Sequence, residues 1–262
     1  MTRVSLLVLL TTLAGPAHAA PRAFKLPAPK TTPLKDEALI TLRVTDKQKT
    51  YQRGFLDQAQ YQQIRDGALE VIKRFSPKSY FYVTIGRSPT AISAFLDNLG
   101  AREGDVHVNL PASNLRDGQI EGFEKAWFKH LDRFLPKHLL ASDQQIVLID
   151  RSTTGATLTK VKQVFDQYLA HKGVAKTVQI VAFARRQVPI PSINIARSPE
   201  LVAMNAGTYD RVAKYPWFYV GETKPSRLEA RPAYGKFRTQ LAERMSRDAT
   251  LRAALAPYEA RE

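Results

Sequence analysis

The sequence predicts an α/β protein in which a parallel sheet is covered by helices on both faces. Short apolar runs alternate, in the middle of the chain, with longer segments of helical periodicity, in the order β-α-β-α-β-α-β. The third run, Ile146 to Ile149, consists only of branched apolar residues, which is typical of a strand buried on both faces. Together these two observations favour a sheet with helices on either side.

The elements follow in order along the chain. An edge strand is expected over 38–44, and further strands over 80–85, 106–110, 146–149 and 177–183. Helices are expected over 58–75, 89–99, 123–140 and 155–171, and Pro136 should kink or break the third of them. After residue 186 we expect Pro-rich connections, a short strand near 217–220 and a basic helix over about 234–256.

The first 19 residues have the pattern of a secretory signal peptide. Arg3 precedes an apolar stretch from Val4 to Leu13, and Ala17-His18-Ala19 forms a cleavage site. The stretch is too short for a membrane anchor, and no later segment is long and apolar enough to span a bilayer. We therefore expect an exported protein, either periplasmic or secreted. The predicted parts are the signal peptide 1–19, a flexible Pro/Lys-rich leader 20–36, an α/β domain 37–225 and a basic C-terminal helical extension 226–262.

Composition limits the chemistry. The chain has no cysteine among its 262 residues, which excludes disulfides, thiol catalysis and a cysteine-linked lipid. Its formal net charge of +15 favours anionic partners such as phosphorylated ligands, nucleic acid or acidic surfaces. The charges are dispersed rather than in blocks, so nucleic acid is not specifically indicated and a basic surface alone accounts for the charge equally well.

The segment 146–157 is the most informative in the chain. The predicted strand ends at Asp150, a small polar loop follows, and a helix then begins with Leu158 on its apolar face. Backbone N–H groups, threonine hydroxyls and the positive end of a helix would all point into one small volume, which suits a phosphate. Asp150 would repel that phosphate and is better placed to hold sugar hydroxyls beside it. The alternative is an ordinary strand-to-helix turn in which Asp150 is only a capping acid.

A second loop of this kind follows the strand 80–85. Gly86, Arg87 and Ser88 lead into a helix, with Ser88 as the expected N-cap and Pro89 as the first helical residue. In an open parallel sheet, ligands bind at the carboxyl ends of the strands, near the topological switch point. Two anion sites there would suit a molecule with phosphates at both ends, whereas the alternative for 86–88 is a plain helix start.

These residues resemble the type I phosphoribosyltransferase family, and the layout is most similar to its hypoxanthine-type members. Thr153, Thr154, Gly155, Ala156 and Thr157 match the family's loop for the 5′-phosphate of phosphoribosyl pyrophosphate. Asp150 falls on the second acid of the family signature, which contacts a ribose hydroxyl. The resemblance therefore implies Asp150 and Thr153 as catalytic positions. Ile149, however, stands where the family has its first acid, and Arg151 occupies a position that is usually apolar.

The resemblance covers about residues 60–220 and implies a further set of roles. Gly86, Arg87 and Ser88 would contact the pyrophosphate, and Arg185 would read the base, although a charged strand end is commonly just surface. The side chains that would cover the base are Leu201, Tyr209 and Trp217. In the implied reaction, a nitrogen nucleophile or water attacks C1 of the ribose as pyrophosphate leaves, and Mg²⁺ bridges oxygens of the ligand.

Three other interpretations remain open. The isoleucine at 149, together with export away from the substrate, favours a non-catalytic phosphate- or nucleotide-binding module on the same fold. An exported effector that acts inside another cell would meet the substrate again. The segment also resembles the start of haloacid-dehalogenase-type phosphatases, with Asp150 as nucleophile, but its spacing is too long and no later acid pair for magnesium follows. The histidines lack metal-ligand spacing, and Trp127 is expected in the core.

Overall fold

The computed structural model describes residues 40–42, 51–53, 58–86, 88–102, 104–112, 122–152, 154–184, 188–194 and 232–259. The strands are β1 (Ile40–Leu42), β2 (Tyr51–Arg53), β3 (Tyr80–Ile85), β4 (His107–Leu110), β5 (Gln145–Arg151), β6 (Val178–Ala184) and β7 (Ser192–Asn194). The helices are α1 (Gln58–Arg74), α2 (Thr90–Asp97), α3 (Glu124–Phe134), α4 (Lys137–Ala141), α5 (Ala156–His171), α6 (Pro232–Arg247) and α7 (Ala249–Leu255). The predicted α/β class is confirmed.

The main sheet has five parallel strands in the order β4-β3-β5-β6-β7, whereas β1 and β2 form a separate antiparallel pair. Because β4 follows β3 in the chain but lies on the opposite side of it from β5, the direction of winding reverses between β3 and β5. This order, 2-1-3-4-5 when counted from β3, is one of the common orders of doubly wound sheets. Its topological switch point lies between β3 and β5.

The two faces of the sheet are covered by different helices. On one face, which we call the α2 face, Val147 and Ile149 pack in a core with α1, α2, α6 and α7. On the other, the α5 face, Ile146 and Leu148 pack with α3, α4 and α5. Adjacent residues of β5 therefore point to opposite faces and both find an apolar layer, which explains why the strand is continuously apolar.

Several boundaries confirm the expected local chemistry. The strand 80–85 begins and ends where its apolar run predicts. Helix α3 ends at Phe134, and α4 begins only at Lys137, because Pro136 cannot continue the helical hydrogen bonds. The expected strand 38–44 is observed as Ile40–Leu42. Strands β2 and β7 were not predicted, and Pro191 immediately precedes β7.

The C-terminal helices are part of the main core. Side chains on α6 and α7 pack on the α2 face with those of α1 and α2; these are Phe237, Leu241, Met245, Leu251 and Leu255. The expected single helix is divided at Asp248, which caps the N-terminus of α7. No helix in the described ranges is long and apolar enough to cross a membrane. The expected leader, signal peptide and strand near 217–220 lie outside the described residues.

Candidate functional site

The two loops singled out in the sequence lie at neighbouring strand ends. Strands β3 and β5 run parallel and side by side, with Thr84 opposite Ile149, so their carboxyl ends emerge at the same edge of the sheet. The loop after β3 leads into α2 on one face, and the loop after β5 leads into α5 on the other. A crevice between two such loops at the switch point is where open α/β sheets bind ligands.

The loop after β5 turns sharply through Gly155. This residue has φ +82° and immediately precedes α5. A Cβ atom added to it would lie 2.8 Å from Cδ1 and 2.9 Å from Cγ1 of Ile190. Both the left-handed backbone and the close approach of Ile190 therefore require glycine here. Thr153, one of the predicted phosphate contacts, lies outside the described residues.

Hydroxyl groups within the loop hold the start of α5. The amide of Gly155 donates to Ser152 Oγ at 2.7 Å, and the amide of Ala156 donates to Thr154 Oγ1 at 3.3 Å. Thr154 and Ala156 are exposed, whereas Thr157 is half-buried. The first turn of a helix carries amides without acceptors inside the helix, so this exposed turn presents positive potential at the edge of the sheet. The predicted phosphate residues 154–157 thus lie together at that edge.

Asp150 is the unusual residue of the site. It is 8 % exposed, and the strand alternation places it on the α5 face beyond Leu148. Its Oδ1 has no hydrogen-bond partner among the described residues. Burial raises the pKa of this carboxyl to about 8, and the backbone N–H and charge of Arg151 only partly oppose that effect. A shielded acid with an unused oxygen at a switch point is a typical feature of a functional site.

The side chain of Ile149 lies on the opposite face of the sheet from that of Asp150. It is fully buried in the core of the α2 face, together with Val147 and Val181. The position where the phosphoribosyltransferase signature has its first acid is therefore an ordinary core position in this chain. One acid, not two, stands at the end of β5.

The loop after β3 is anchored to β4. Gly86 has φ +67°; its amide donates to the Leu110 carbonyl at 2.8 Å, and its carbonyl accepts from Asn109 Nδ2 at 2.8 Å. The expectation that Ser88 caps α2 is wrong, because Pro89 occupies the N-cap position and the helix begins at Thr90. Gly86 uses both of its backbone polar groups inside the protein, so its part in an anion loop would be to shape the turn. Arg87 lies outside the described residues.

A buried polar cluster beneath this loop was not identified from the sequence. Thr84 Oγ1 lies 2.7 Å from Ser93 Oγ and 2.8 Å from His107 Nε2, and it accepts from Asn109 Nδ2 at 2.9 Å. His107 Nδ1 lies 2.6 Å from Asp97 Oδ1. The available signal was polar residues in otherwise apolar strands, Thr84 in β3 and His107 and Asn109 in β4.

The residues predicted to bind the base lie outside the described ranges. Strand β6 ends at the buried Ala184, and the base-reading candidate Arg185 lies outside the described residues, as do Leu201, Tyr209 and Trp217. Trp127 is fully buried, which confirms it as a core residue. Within the described ranges, no three His, Asp or Glu side chains are grouped so as to hold a metal ion.

His130 has a structural role. Its Nε2 donates to the Pro111 carbonyl at 2.9 Å, and burial lowers its pKa to about 4 although that bond opposes the shift. The imidazole is therefore neutral at physiological pH and supports the chain just after β4.

Comparisons with known proteins add no family to this geometry. No protein-family model matches the chain, and no curated protein is significantly similar to it.

Proposed function

We propose that this chain binds a ribose phosphate or phosphoribosyl pyrophosphate in the crevice between the loops after β3 and β5. The observation that carries the proposal is Asp150, a shielded carboxyl whose Oδ1 has no hydrogen-bond partner in the described part of the chain. Leaving a buried polar atom without a partner costs about 1–3 kcal/mol, and a ligand hydroxyl is the kind of group that removes this cost. Asp150 would accept hydrogen bonds from the ribose.

The phosphate would lie at the start of α5. Thr154 and Ala156 are exposed at the start of α5, one loop beyond Asp150 along the chain, and the start of a helix favours an anion. The amide of Ala156 makes only a long bond of 3.3 Å to Thr154, so an anion could compete for it. Thr153 would complete this loop, and the net charge of +15 favours the approach of an anion.

Binding without turnover is the form of this proposal that the residues favour. The first acid of the phosphoribosyltransferase signature is replaced by Ile149, which is fully buried in the core. Any Mg²⁺ would have to be held chiefly by oxygens of the ligand, because the single acid Asp150 supplies far fewer oxygens than the ion prefers. A phosphoribosyl-transferring enzyme of this kind, exported as the N-terminal residues predict, is the second form of the proposal.

The phosphatase alternative receives less support from Asp150. A nucleophilic aspartate must be ionised to attack phosphorus, whereas burial raises the pKa of Asp150 to about 8 and keeps most of it protonated at neutral pH. The raised pKa does not conflict with a hydrogen-bonding role toward sugar hydroxyls.

Titration calorimetry tests the proposal directly. Ribose 5-phosphate and phosphoribosyl pyrophosphate, each with Mg²⁺ at pH 9, where the Asp150 carboxyl is ionised, should bind the wild type. Asp150→Asn replaces one acceptor oxygen by an amide donor and should bind both at least tenfold more weakly. The matched control is Asp166→Asn on the outer surface of α5, which should bind like the wild type. Absence of heat with either compound at millimolar concentration would overturn the proposal.

A second measurement separates binding from transfer. Purine and pyrimidine bases are added to the complex of phosphoribosyl pyrophosphate with Mg²⁺, and pyrophosphate release is followed. The binding module predicts no release above the rate without protein. Release that depends on Asp150 would establish the enzymatic form instead.

A further inference from the structure

We infer that Ile190 is a positioning residue, which packs on the Gly155 turn and holds the start of α5 in place for the phosphate of the ligand. The inference rests on the proposed function. It adds to the site a part of the chain outside the two loops, the segment 188–191 between β6 and β7.

Asp150 and the start of α5 belong to the same region of the α5 face. Asp150 pairs with Ala182 of β6, and paired residues of neighbouring strands point to the same face of a sheet. Ala182 lies in the core of the α5 face together with Leu158, from the first turn of α5, and with Val188. The carboxyl whose Oδ1 lacks a partner in the described residues is therefore directed toward the layer that contains both the start of α5 and the segment 188–191.

The sequence of this segment, Val-Pro-Ile-Pro over 188–191, makes it rigid. Each proline fixes its own φ angle and restricts the residue before it to extended conformations, so all four residues have little freedom. The Pro191 carbonyl accepts from the Ala182 amide at 2.9 Å, and Val188 is 7 % exposed in the core of the α5 face. The backbone on both sides of Ile190 is thus fixed to the sheet.

Ile190 packs directly on the backbone of Gly155. Its Cδ1, Cγ1 and Cγ2 atoms lie 2.8, 2.9 and 3.2 Å from the place that a Cβ atom of residue 155 would occupy. An asparagine can adopt a left-handed φ of +82°, but its Cβ atom could not enter this contact. The missing side chain at 155 therefore lets Ile190 cover one side of the turn, while Thr154 and Ala156 remain exposed.

Hydrogen bonds hold the same turn to β6. The Gly155 amide donates to Ser152 Oγ at 2.7 Å, and the Ser152 amide donates to the Phe183 carbonyl at 3.1 Å. The Gly155 carbonyl accepts from the Thr159 amide of α5 at 3.0 Å. Since the turn is bonded to β6 and packed by Ile190, the exposed amides that would bind the phosphate are ordered before the ligand arrives.

Truncation of Ile190 tests its role in binding. Ile190→Ala removes the packing but leaves the hydrogen bonds of the loop. We expect it to weaken binding of ribose 5-phosphate about tenfold, measured by calorimetry as above, because a loosened turn must be ordered again when the ligand binds. Ile190→Val keeps a branched side chain against Gly155 and should retain wild-type affinity.

Ile180→Ala is the matched control. Ile180 is a half-buried isoleucine near the amino end of β6 and packs against the same core. Its truncation should therefore destabilise the protein in a similar way but leave the affinity for ribose 5-phosphate unchanged. Wild-type affinity in Ile190→Ala, or equal weakening in Ile180→Ala, overturns the inference.

Amide exchange provides a readout that does not depend on the ligand. Exchange of the Gly155 amide, followed by NMR, should be about tenfold faster in Ile190→Ala than in the wild type and unchanged in Ile180→Ala. Unchanged exchange in Ile190→Ala overturns the inference even if ribose 5-phosphate binds. If the wild type does not bind this compound, the proposed function fails, and the exchange result still decides whether Ile190 holds the turn.

Discussion

Two shielded carboxyls in this molecule have opposite surroundings. Asp248, at the junction of α6, α7 and α1, accepts hydrogen bonds from the Leu251 amide at 2.9 Å, the Tyr61 hydroxyl at 2.9 Å and Arg65 Nη1 at 3.1 Å. Asp150, at the carboxyl edge of the sheet, has one oxygen without a partner in the described residues. The first acid joins three elements, whereas the second has an oxygen that no group in the described part of the chain satisfies.

The pKa values of the two acids differ accordingly. Burial alone would raise the pKa of Asp248, but the bonds from Leu251, Tyr61 and Arg65 and the charge of Arg65 lower it below the ordinary value. At Asp150, burial dominates and raises the pKa to about 8. Folding therefore gains stability from ionised Asp248 and loses stability when Asp150 must ionise. A group that opposes folding at its own position is a good candidate for function.

The largest expected effect is at the loop beside Asp150. Gly155→Ala combines a left-handed backbone at φ +82° with a Cβ atom 2.8 Å from Ile190, so we expect a loss of about 4 kcal/mol in the free energy of unfolding. Urea unfolding measures it. Gly173→Ala, at φ +67° with no atom within 4 Å, isolates the backbone strain and should cost about 1 kcal/mol. Equal losses in the two variants would show that Ile190 does not constrain the loop.

The next largest effect on stability is expected at Asp248, whose carboxylate has hydrogen-bond partners within the protein. Asp248→Asn weakens the charged hydrogen bonds to Tyr61 and Arg65 and should lower the free energy of unfolding by about 2–3 kcal/mol at pH 7. Because the folded pKa of Asp248 is lowered, its contribution is present above the ordinary Asp pKa and is lost as the pH falls through the folded value. Urea titrations at pH 7 and pH 3 should show the difference from the wild type shrinking. If the difference in the free energy of unfolding stays the same at both pH values, the loss comes from packing and not from the charge of Asp248.

The same substitution at Asp150, whose Oδ1 has no partner in the described residues, should change the free energy of unfolding in the opposite direction. Asp150→Asn should raise the free energy of unfolding by about 2 kcal/mol at pH 8, since a neutral side chain need not ionise in the buried site. Between the ordinary value of 3.8 and about 8, the folded protein keeps a proton that the unfolded chain releases, so the wild type loses stability as the pH rises through this range. The advantage of the variant should therefore disappear near pH 4. A variant less stable than the wild type at pH 8 would mean that Asp150 is satisfied within the protein.

The smallest effect sets the reference for losing a carboxylate. Asp166 pairs with Lys162 at 2.6 Å on the exposed side of α5, with the two side chains 47 % and 37 % exposed. Asp166→Asn should change the free energy of unfolding by less than about 0.5 kcal/mol. A larger loss would show that the long-range field of this basic chain, and not local pairing, determines what an acid contributes.

The comparison also explains which features the sequence could reveal. Periodicity and Pro136 predict the strand 80–85 and the break between α3 and α4, because burial on both faces and a missing N–H act locally. The carboxyl-edge loops could be proposed from residue order alone, since parallel topology brings Gly86 and Asp150 to one edge. The buried polar cluster that links Asp97, His107, Thr84 and Asn109 could not be proposed from the sequence. Its members come from three elements, and only the pairing of Thr84 with Asn109 in the sheet brings them together. The contact of Ile190 with Gly155 is hidden for the same reason.

Melting curves of the wild type and Asp150→Asn at pH 8, each with and without ribose 5-phosphate, test the central claim most directly. If Asp150 binds the ligand, the free variant should melt at a higher temperature than the free wild type. Ribose 5-phosphate should then raise the melting temperature of the wild type alone. A free variant that melts lower, or a ligand that shifts both proteins equally or neither, would contradict the role assigned to Asp150.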